Sequence, residues 1–344
     1  MLLVSLDRLL KTSSEILASL GLSPEDADAV VDTIKYANSH GVPTHGAGRL
    51  PLYAKNIASG AIDPRAVPEV VVDSGAVGVV DGMDALGQVA AKAAMTLALE
   101  KVRAHGVSVV AVRNSNNFGT AGYYGAWAAE EGCGAIIMAN ASPALAPTGG
   151  TKALFGTNPI CMAMPGVEGH APIVLDMATT VVARTKIRSA AKEGAPIPED
   201  WALDADGKPT TSADDALKGT LLPIGGHKGY GLSLFVDLLA GLLAQGAFAG
   251  GVAALSDTSR PSRNGHVFIL FDIARFMDGD AYRASFETLL GRVRECGEEV
   301  LLPGERGFAA AATCDGVVKV TPKQYEEINA LAGELGATGI RRID

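Results

Sequence analysis

Between residues 67 and 138 the chain alternates short apolar runs with one long alanine-rich stretch, and this alternation limits its folds more than any other feature. Residues 70–72 and 77–80 read as strands, 88–105 as a helix, 107–112 as a buried strand and 135–138 as another. A glycine loop from 114 to 125 and a helix through Glu131 fall between the last two strands. Strand, helix, strand order builds an α/β protein with a partly parallel sheet.

The flanks read differently. The first 60 residues are helical in pattern. Ser23 can cap, Pro24 suits a first helical position, and Glu25 and Asp26 favour a first turn. Ala27, Val30, Val31, Ile34 and Ala37 follow at helical spacing, and Gly41 ends that helix. A second short helix begins near Gly48, because Pro51 is tolerated only in a first turn. Residues 140–180 are rich in loop formers, with a strand at 173–175 that ends at Asp176. Later come a long apolar helix (232–243), a strand (267–271), a surface helix (282–299) and a closing helix (324–335). There is no internal repeat.

Composition narrows the classes. Of 344 residues, 41 are glycine, well above the usual share of about 7%, and they are not periodic. They therefore serve turns and close backbone approaches rather than a collagen helix. The net charge of −9 without basic clusters speaks against nucleic-acid binding. The four cysteines are widely spaced, so no cysteine metal site is expected. Asp7 and Arg8 interrupt the apolar start before signal-peptide length, and Asp237 and Gln245 break the most hydrophobic segment below membrane-spanning length. The expectation is a soluble protein of a reducing, cytoplasmic compartment.

No GxGxxG follows a strand, and there is no Walker motif, HExxH or GxSxG. Five clusters remain as candidates. Thr44, His45 and Gly46 precede Arg49 and Tyr53, which would share a helix face. Arg can grip a carboxylate, Tyr can add a hydrogen bond, and His titrates near neutral pH. Against this, His45 can be an ordinary loop histidine and Arg49 a solvated charge. The loop Asn114-Ser115-Asn116-Asn117-Phe118-Gly119, with Gly122 and Gly125, joins a strand to a helix and suits either an anion or plain helix packing. Pro147-Thr148-Gly149-Gly150 and Phe155-Gly156-Thr157-Asn158-Pro159 mark ligand approach or structural turns, including a cis proline. Asp176 at a strand end suits a ligand or a helix N-cap. Gly225-Gly226-His227-Lys228-Gly229-Tyr230-Gly231 puts a lysine at a helix start, as an anion site or a tight turn.

In this order the segments resemble the type-2 malate/L-lactate dehydrogenase family, which also holds ureidoglycolate, sulfolactate and diketogulonate dehydrogenases and cyclic-imine carboxylate reductases. The matches are Gly41-Val-Pro-Thr-His-Gly46, the Ser115 loop, Ala146-Pro-Thr-Gly-Gly150, Leu154-Phe-Gly-Thr-Asn-Pro159, Val174-Leu-Asp-Met-Ala-Thr179, the 225–231 motif and Pro303-Gly-Glu-Arg306. The resemblance implies a non-Rossmann mixed-sheet α/β fold, a NAD or NADP cofactor, and a homodimer with its active site near the subunit interface. His45 would be the acid/base and Arg49 the clamp on a small carboxylate substrate, with Tyr53, Thr44 and Asn117 assisting. Ser142, Asn158, Asp176, Met177, Ala178, Thr179, His227, Lys228, Gly304, Glu305 and Arg306 would hold the cofactor. Three domains are expected: a helical one from 1–65 with about 320–344, a substrate-side α/β one from 66–113 with about 265–319, and a cofactor-binding one from 114–264.

The chain departs from that pattern at three places. Relatives often carry Ser where Thr44 stands and Asp where Pro43 stands, and the usual Ser-Asn-His-Phe-Gly reads Ser-Asn-Asn-Phe-Gly here. Asn117 hydrogen-bonds but is no acid. The leading expectation is hydride transfer between nicotinamide and C2 of a 2-hydroxy or 2-oxo acid. Reduction of a cyclic imine carboxylate is the alternative, and a non-catalytic cofactor binder is a third. Arg184, Lys186 and Arg188 would meet a 2′-phosphate or form a solvated helix face.

Overall fold

The computed structural model of the chain describes residues 1–343. The amino terminus departs from the helical reading. β1 (Leu2–Ser5) is a strand that pairs antiparallel with residues 317–320. Its apolar run is shorter than a useful helix, and Ser5 instead caps α1 (Leu6–Ser19) by accepting the Arg8 amide at 3.3 Å. α2 (Pro24–Ser39) starts as expected, with the Ser23 hydroxyl accepting the Asp26 amide at 3.2 Å. Two 3₁₀ turns, Pro43–His45 and Ala47–Arg49, lead into α3 (Leu50–Ala58), with Pro51 in its first turn.

β2 (Glu69–Ser74) and β3 (Val77–Asp81) form a hairpin, and α4 (Gly87–His105) crosses from β3 to a parallel β4 (Val107–Ser115). α5 (Ala121–Glu130) and β5 (Cys133–Ala139) follow. The stretch read as loop contains a strand, β6 (Ile160–Met164), which pairs with both β5 and β7 (Ile173–Met177). Its alternation is hidden because Cys161 and Ala163 face the core while Met162 stays exposed. A small lobe holds α6 (Arg184–Glu193), β8 (Ala202–Leu203), α7 (Ala213–Lys218) and β9 (Thr220–Leu221). α8 (His227–Val236) runs on into a π-helical segment, Asp237–Leu242. β10 (Asn264–Asp272), α9 (Gly279–Arg294), α10 (Glu305–Ala312), β11 (Val317–Val320) and α11 (Pro322–Glu334) complete the chain.

The main sheet has seven strands in the order β2-β3-β4-β10-β5-β6-β7. Only β3 and β4 run parallel within it, so this is a mixed α/β sheet rather than a doubly wound one. The boundary expected at 113/114 falls inside β4, and β10 joins β4 to β5, so one sheet carries both expected units. One face packs on α4 and α5 through Val110, Ile137, Phe268 and Met95. Val236 and Ala240 cover the other face against Met138, Ile160 and Val267. α1, α2, α3, β1, β11 and α11 share a separate core of Leu9, Ile16, Ile34, Leu50 and Ile328.

Several glycines sit elsewhere than the sequence placed them. Gly122 and Gly125 lie inside α5, not in the loop before it. A Cβ on Gly125 would stand 2.6 Å from Cys161 Sγ and 3.1 Å from Ala163 Cβ, so this glycine lets α5 press on β6. Gly229 and Gly231 lie inside α8, and that helix is not wholly buried: Leu232 and Phe235 are exposed, as are Leu242 at the end of the π-helical segment and Leu243 after it. No peptide bond among the described residues is cis, so the 155–159 turn is built without a cis proline.

Candidate active site

The turn after α2 makes the first part of the site. Thr44 Oγ1 lies 3.2 Å from His45 Nδ1, and the Thr44 carbonyl accepts Arg49 Nε at 2.7 Å. The 3₁₀ geometry thus draws Arg49 back over the histidine turn. Burial, then the Arg49 charge, lowers the His45 pKa to about 4. His45 is half-buried and neutral at neutral pH. Arg49 has no carboxylate partner among the described residues.

Arg49 lines a cleft of about 460 Å³ together with Asn117, Ser142, Thr157, Arg184 and Arg188. The 114–119 loop, the 141–144 loop and the start of α6 therefore converge here from distant parts of the chain. Residues 250–257 and Arg260 close the opposite side. Sequence reasoning assigned nothing to that wall, because nothing local to a segment without regular structure says which cleft it borders. Lys186 does not line the cleft although Arg184 and Arg188 do. Arg184 Nη2 donates to the Leu217 carbonyl at 2.7 Å, and burial and then Arg188 lower its pKa.

Tyr53 does not face the cleft as expected. It is 1% exposed. Its hydroxyl donates to Asn117 Oδ1 at 3.4 Å and accepts from Gln88 Nε2 at 2.8 Å. The first bond is long, but it ties the buried Tyr53 hydroxyl to Asn117, which lines the cleft. The loop is also held from behind by His266, which sequence reasoning did not single out. Its ring stacks on Phe118 with centroids 4.3 Å apart, and its Nε2 lies 2.9 Å from Ser115 Oγ. Burial pushes its pKa down to about 3.

The expected cofactor residues divide among neighbouring clefts and the interior. Asp176, Gly304 and Arg306 line a cleft of about 530 Å³ with Tyr36, His40 and Thr120. Asp176 Oδ2 accepts from Thr120 Oγ1 at 2.5 Å and from the Gly122 amide at 2.7 Å, so the carboxylate meets the N-terminus of α5. Burial still raises its pKa against those two bonds. His227 lines a third cleft with Gly225, Gly226 and residues 147–150, and Lys228 is exposed beside it. Met177 and Ala178 lie between, both partly exposed.

Three of the expected cofactor residues spend their side-chain hydrogen bonds on the protein itself. Asn158 is 0% exposed, with Oδ1 accepting the Ala141 amide and Nδ2 donating to the Ser233 carbonyl. Thr179 is buried, and its hydroxyl donates to the Thr157 carbonyl at 3.0 Å. Glu305 pairs with Arg294 and accepts the Leu302 amide at 2.8 Å, closing the turn into α10. Short polar side chains in a turn-rich segment look alike whether they bind a ligand or their own backbone.

A mixed sheet without a dinucleotide fingerprint, bordered by a His–Arg turn and glycine-lined clefts, defines a non-Rossmann α/β protein with a candidate active site. A family model for malate/L-lactate dehydrogenases matches residues 4–329, and the chain belongs to that family. It is 36% identical to the malate dehydrogenase of Pyrococcus horikoshii over 97% of this chain and 96% of the relative. The solved sulfolactate dehydrogenase of Methanocaldococcus jannaschii superposes with a TM-score of 0.91 at 34% identity, covering 98% of each chain. The Δ1-piperideine-2-carboxylate reductase of Pseudomonas syringae pv. tomato superposes with a TM-score of 0.88 at 33% identity, covering 96% of this chain and 100% of that one. The protein is an enzyme of that dehydrogenase family.

Proposed function

We propose that the enzyme interconverts a small 2-hydroxy acid and its 2-oxo acid, with His45 as acid/base and Arg49 as carboxylate clamp. The observation that carries this reading is Arg49: a guanidinium in a cleft, unpaired, anchored through Nε to the Thr44 carbonyl beside His45. Anchoring one nitrogen leaves the others for a bidentate carboxylate contact. The neutral imidazole suits removal of the hydroxyl proton in the oxidative direction. Asn117 supplies a hydrogen bond to the oxygen and no proton. Ser142, Met177, Ala178, His227, Lys228 and the Gly304 and Arg306 backbone region would hold the cofactor. Gly149 and Gly226 have positive φ and open space around them, which fits a ligand lying close to the backbone. The bound nicotinamide supplies or accepts the hydride at C2.

A second reading is reduction of a cyclic imine carboxylate. It is favoured by the lowered pKa of His45 and by an asparagine at position 117, because an iminium substrate brings its own proton. Absorbance at the reduced-nicotinamide band decides between them, using NADH and NADPH with pyruvate, oxaloacetate, sulfopyruvate and a cyclic imine carboxylate. Turnover of an oxo acid supports the first reading, and turnover of the imine alone replaces it with the second. Silence on all four, with cofactor bound, overturns both.

We further infer a homodimer through the exposed apolar side of α8 and the π-helical segment, where Phe235 is 62% exposed. The four cysteines are free, consistent with the cytoplasm. No helix among the described residues is long and apolar enough to cross a membrane.

A further inference from the structure

The turn that carries His45 and Arg49 is gripped from two sides by side chains from other parts of the chain. Asn38, 7% exposed in the last turn of α2, accepts the Ala47 amide on its Oδ1 at 3.0 Å. Gln324, in the first turn of α11, donates its Nε2 to the Pro43 carbonyl at 3.2 Å, across 281 residues of sequence. Two glycines admit these groups: a Cβ on Gly46 would overlap Asn38 Oδ1, and one on Gly48 would overlap Gln324 Nε2. Neither 3₁₀ turn has a side-chain cap of its own, so these grips are what hold the segment to α2 and α11.

The two ends of the Gln324 amide have different partners. Its Oε1 accepts the Thr321 amide at 2.9 Å while Thr321 Oγ1 accepts the Gln324 amide at 3.1 Å, a reciprocal box that starts α11. A glutamate serves that box equally well, because only an acceptor is needed there. The Nε2 group takes no part in the cap and goes to Pro43. We propose that Gln324, with Asn38 opposite, is a positioning residue for the reaction, its side-chain N–H fixing the place of the His45–Arg49 turn. This rests on the acid/base and clamp roles proposed above for that turn. A misplacement of about 1 Å at a reacting group can cost about 10²-fold in rate, so a bond that adds little to stability can matter to turnover.

Gln324→Glu keeps the cap and removes the donor, and Gln324→Met removes both without adding charge. Gln324 is half-buried, so both variants should fold. Each should lower kcat/KM about fivefold or more on whichever substrate of the panel above the unmodified enzyme turns over. Only Gln324→Met should also lower the urea midpoint. A second readout needs no turnover. The His45 ring signal in proton NMR, assigned by its loss in His45→Asn, should stay flat from pH 7 to 5 in the unmodified enzyme. It should shift over that range in both variants, because a loosened turn lets water reach the ring. A flat His45 signal in Gln324→Glu overturns the proposal, as does a change in Gln324→Glu that Gln324→Met does not share, which would be the work of the new charge. An inactive His45→Asn beside a fully active Gln324→Glu overturns the proposal alone. Full activity in His45→Asn overturns the acid/base reading, and the proposal with it.

Discussion

At the scale of single residues, the proposed chemistry rests on the turn from Thr44 to Arg49. Replacing His45 with Asn should lower kcat by about 10²–10⁴, the range usual for a lost general acid/base, while cofactor affinity measured by fluorescence titration stays within about twofold. Arg49→Lys keeps the charge but loses the planar fork, so KM for the oxo acid should rise by about tenfold or more. The pH profile follows from the lowered His45 value. A base must be deprotonated, so kcat/KM for hydroxy-acid oxidation should hold through pH 6.5 and fall only as pH approaches about 4. An acid limb centred on 6.5 would show that His45 is not held at a lowered pKa in the working enzyme or that another group is the base. Tyr53→Phe tests the reassigned tyrosine: it frees Gln88 Nε2 and Asn117 together, and should cost about 1 kcal/mol in kcat/KM through Asn117.

At the scale of elements, the joint between α5 and the sheet decides whether the Asn117 loop is presented at all. Gly125→Ala drives a methyl into Cys161 and Ala163, so urea unfolding should show a loss of about 1–3 kcal/mol. Gly291 lies in the interior of α9, and a methyl group added there would meet no atom within 4 Å. Gly291→Ala should therefore gain about 0.5–1 kcal/mol. A destabilised Gly291→Ala would contradict the open packing around α9. These elements are unevenly legible in the sequence. α2 and α4 can be read nearly to their ends because their caps and periodicity are local. β1 and β6 escape such a reading because each is short and takes its strand geometry from a partner far along the chain or from the surrounding sheet.

For the whole molecule, the packing that assembles the clefts also buries histidines. The pKa values of His40, His45 and His266 are all lowered, with burial the leading cause. Their ordinary value is near 6.5 in the unfolded chain. As pH falls below it, the unfolded state takes up protons that the folded state refuses, so stability present above 6.5 is lost toward about pH 4. Denaturant midpoints should therefore drop between pH 6.5 and 5, and the slope should flatten in His266→Gln. A flat wild-type profile would mean that these rings are solvated in the folded state.

The linear sequence determined what local physics can write: the mixed α/β class, the capped helices, and a His–Arg turn whose spacing needs only a few residues. Tertiary structure alone decided which side chains share a cleft. It brought Arg49, Asn117, Ser142, Arg184 and Arg188 together from separate segments. It also turned Tyr53, Asn158 and Thr179 inward to satisfy buried backbone and side-chain groups. A polar residue in a turn carries the same local signal in either role, and only the long-range path of the chain determines whether a ligand or the protein's own backbone meets it.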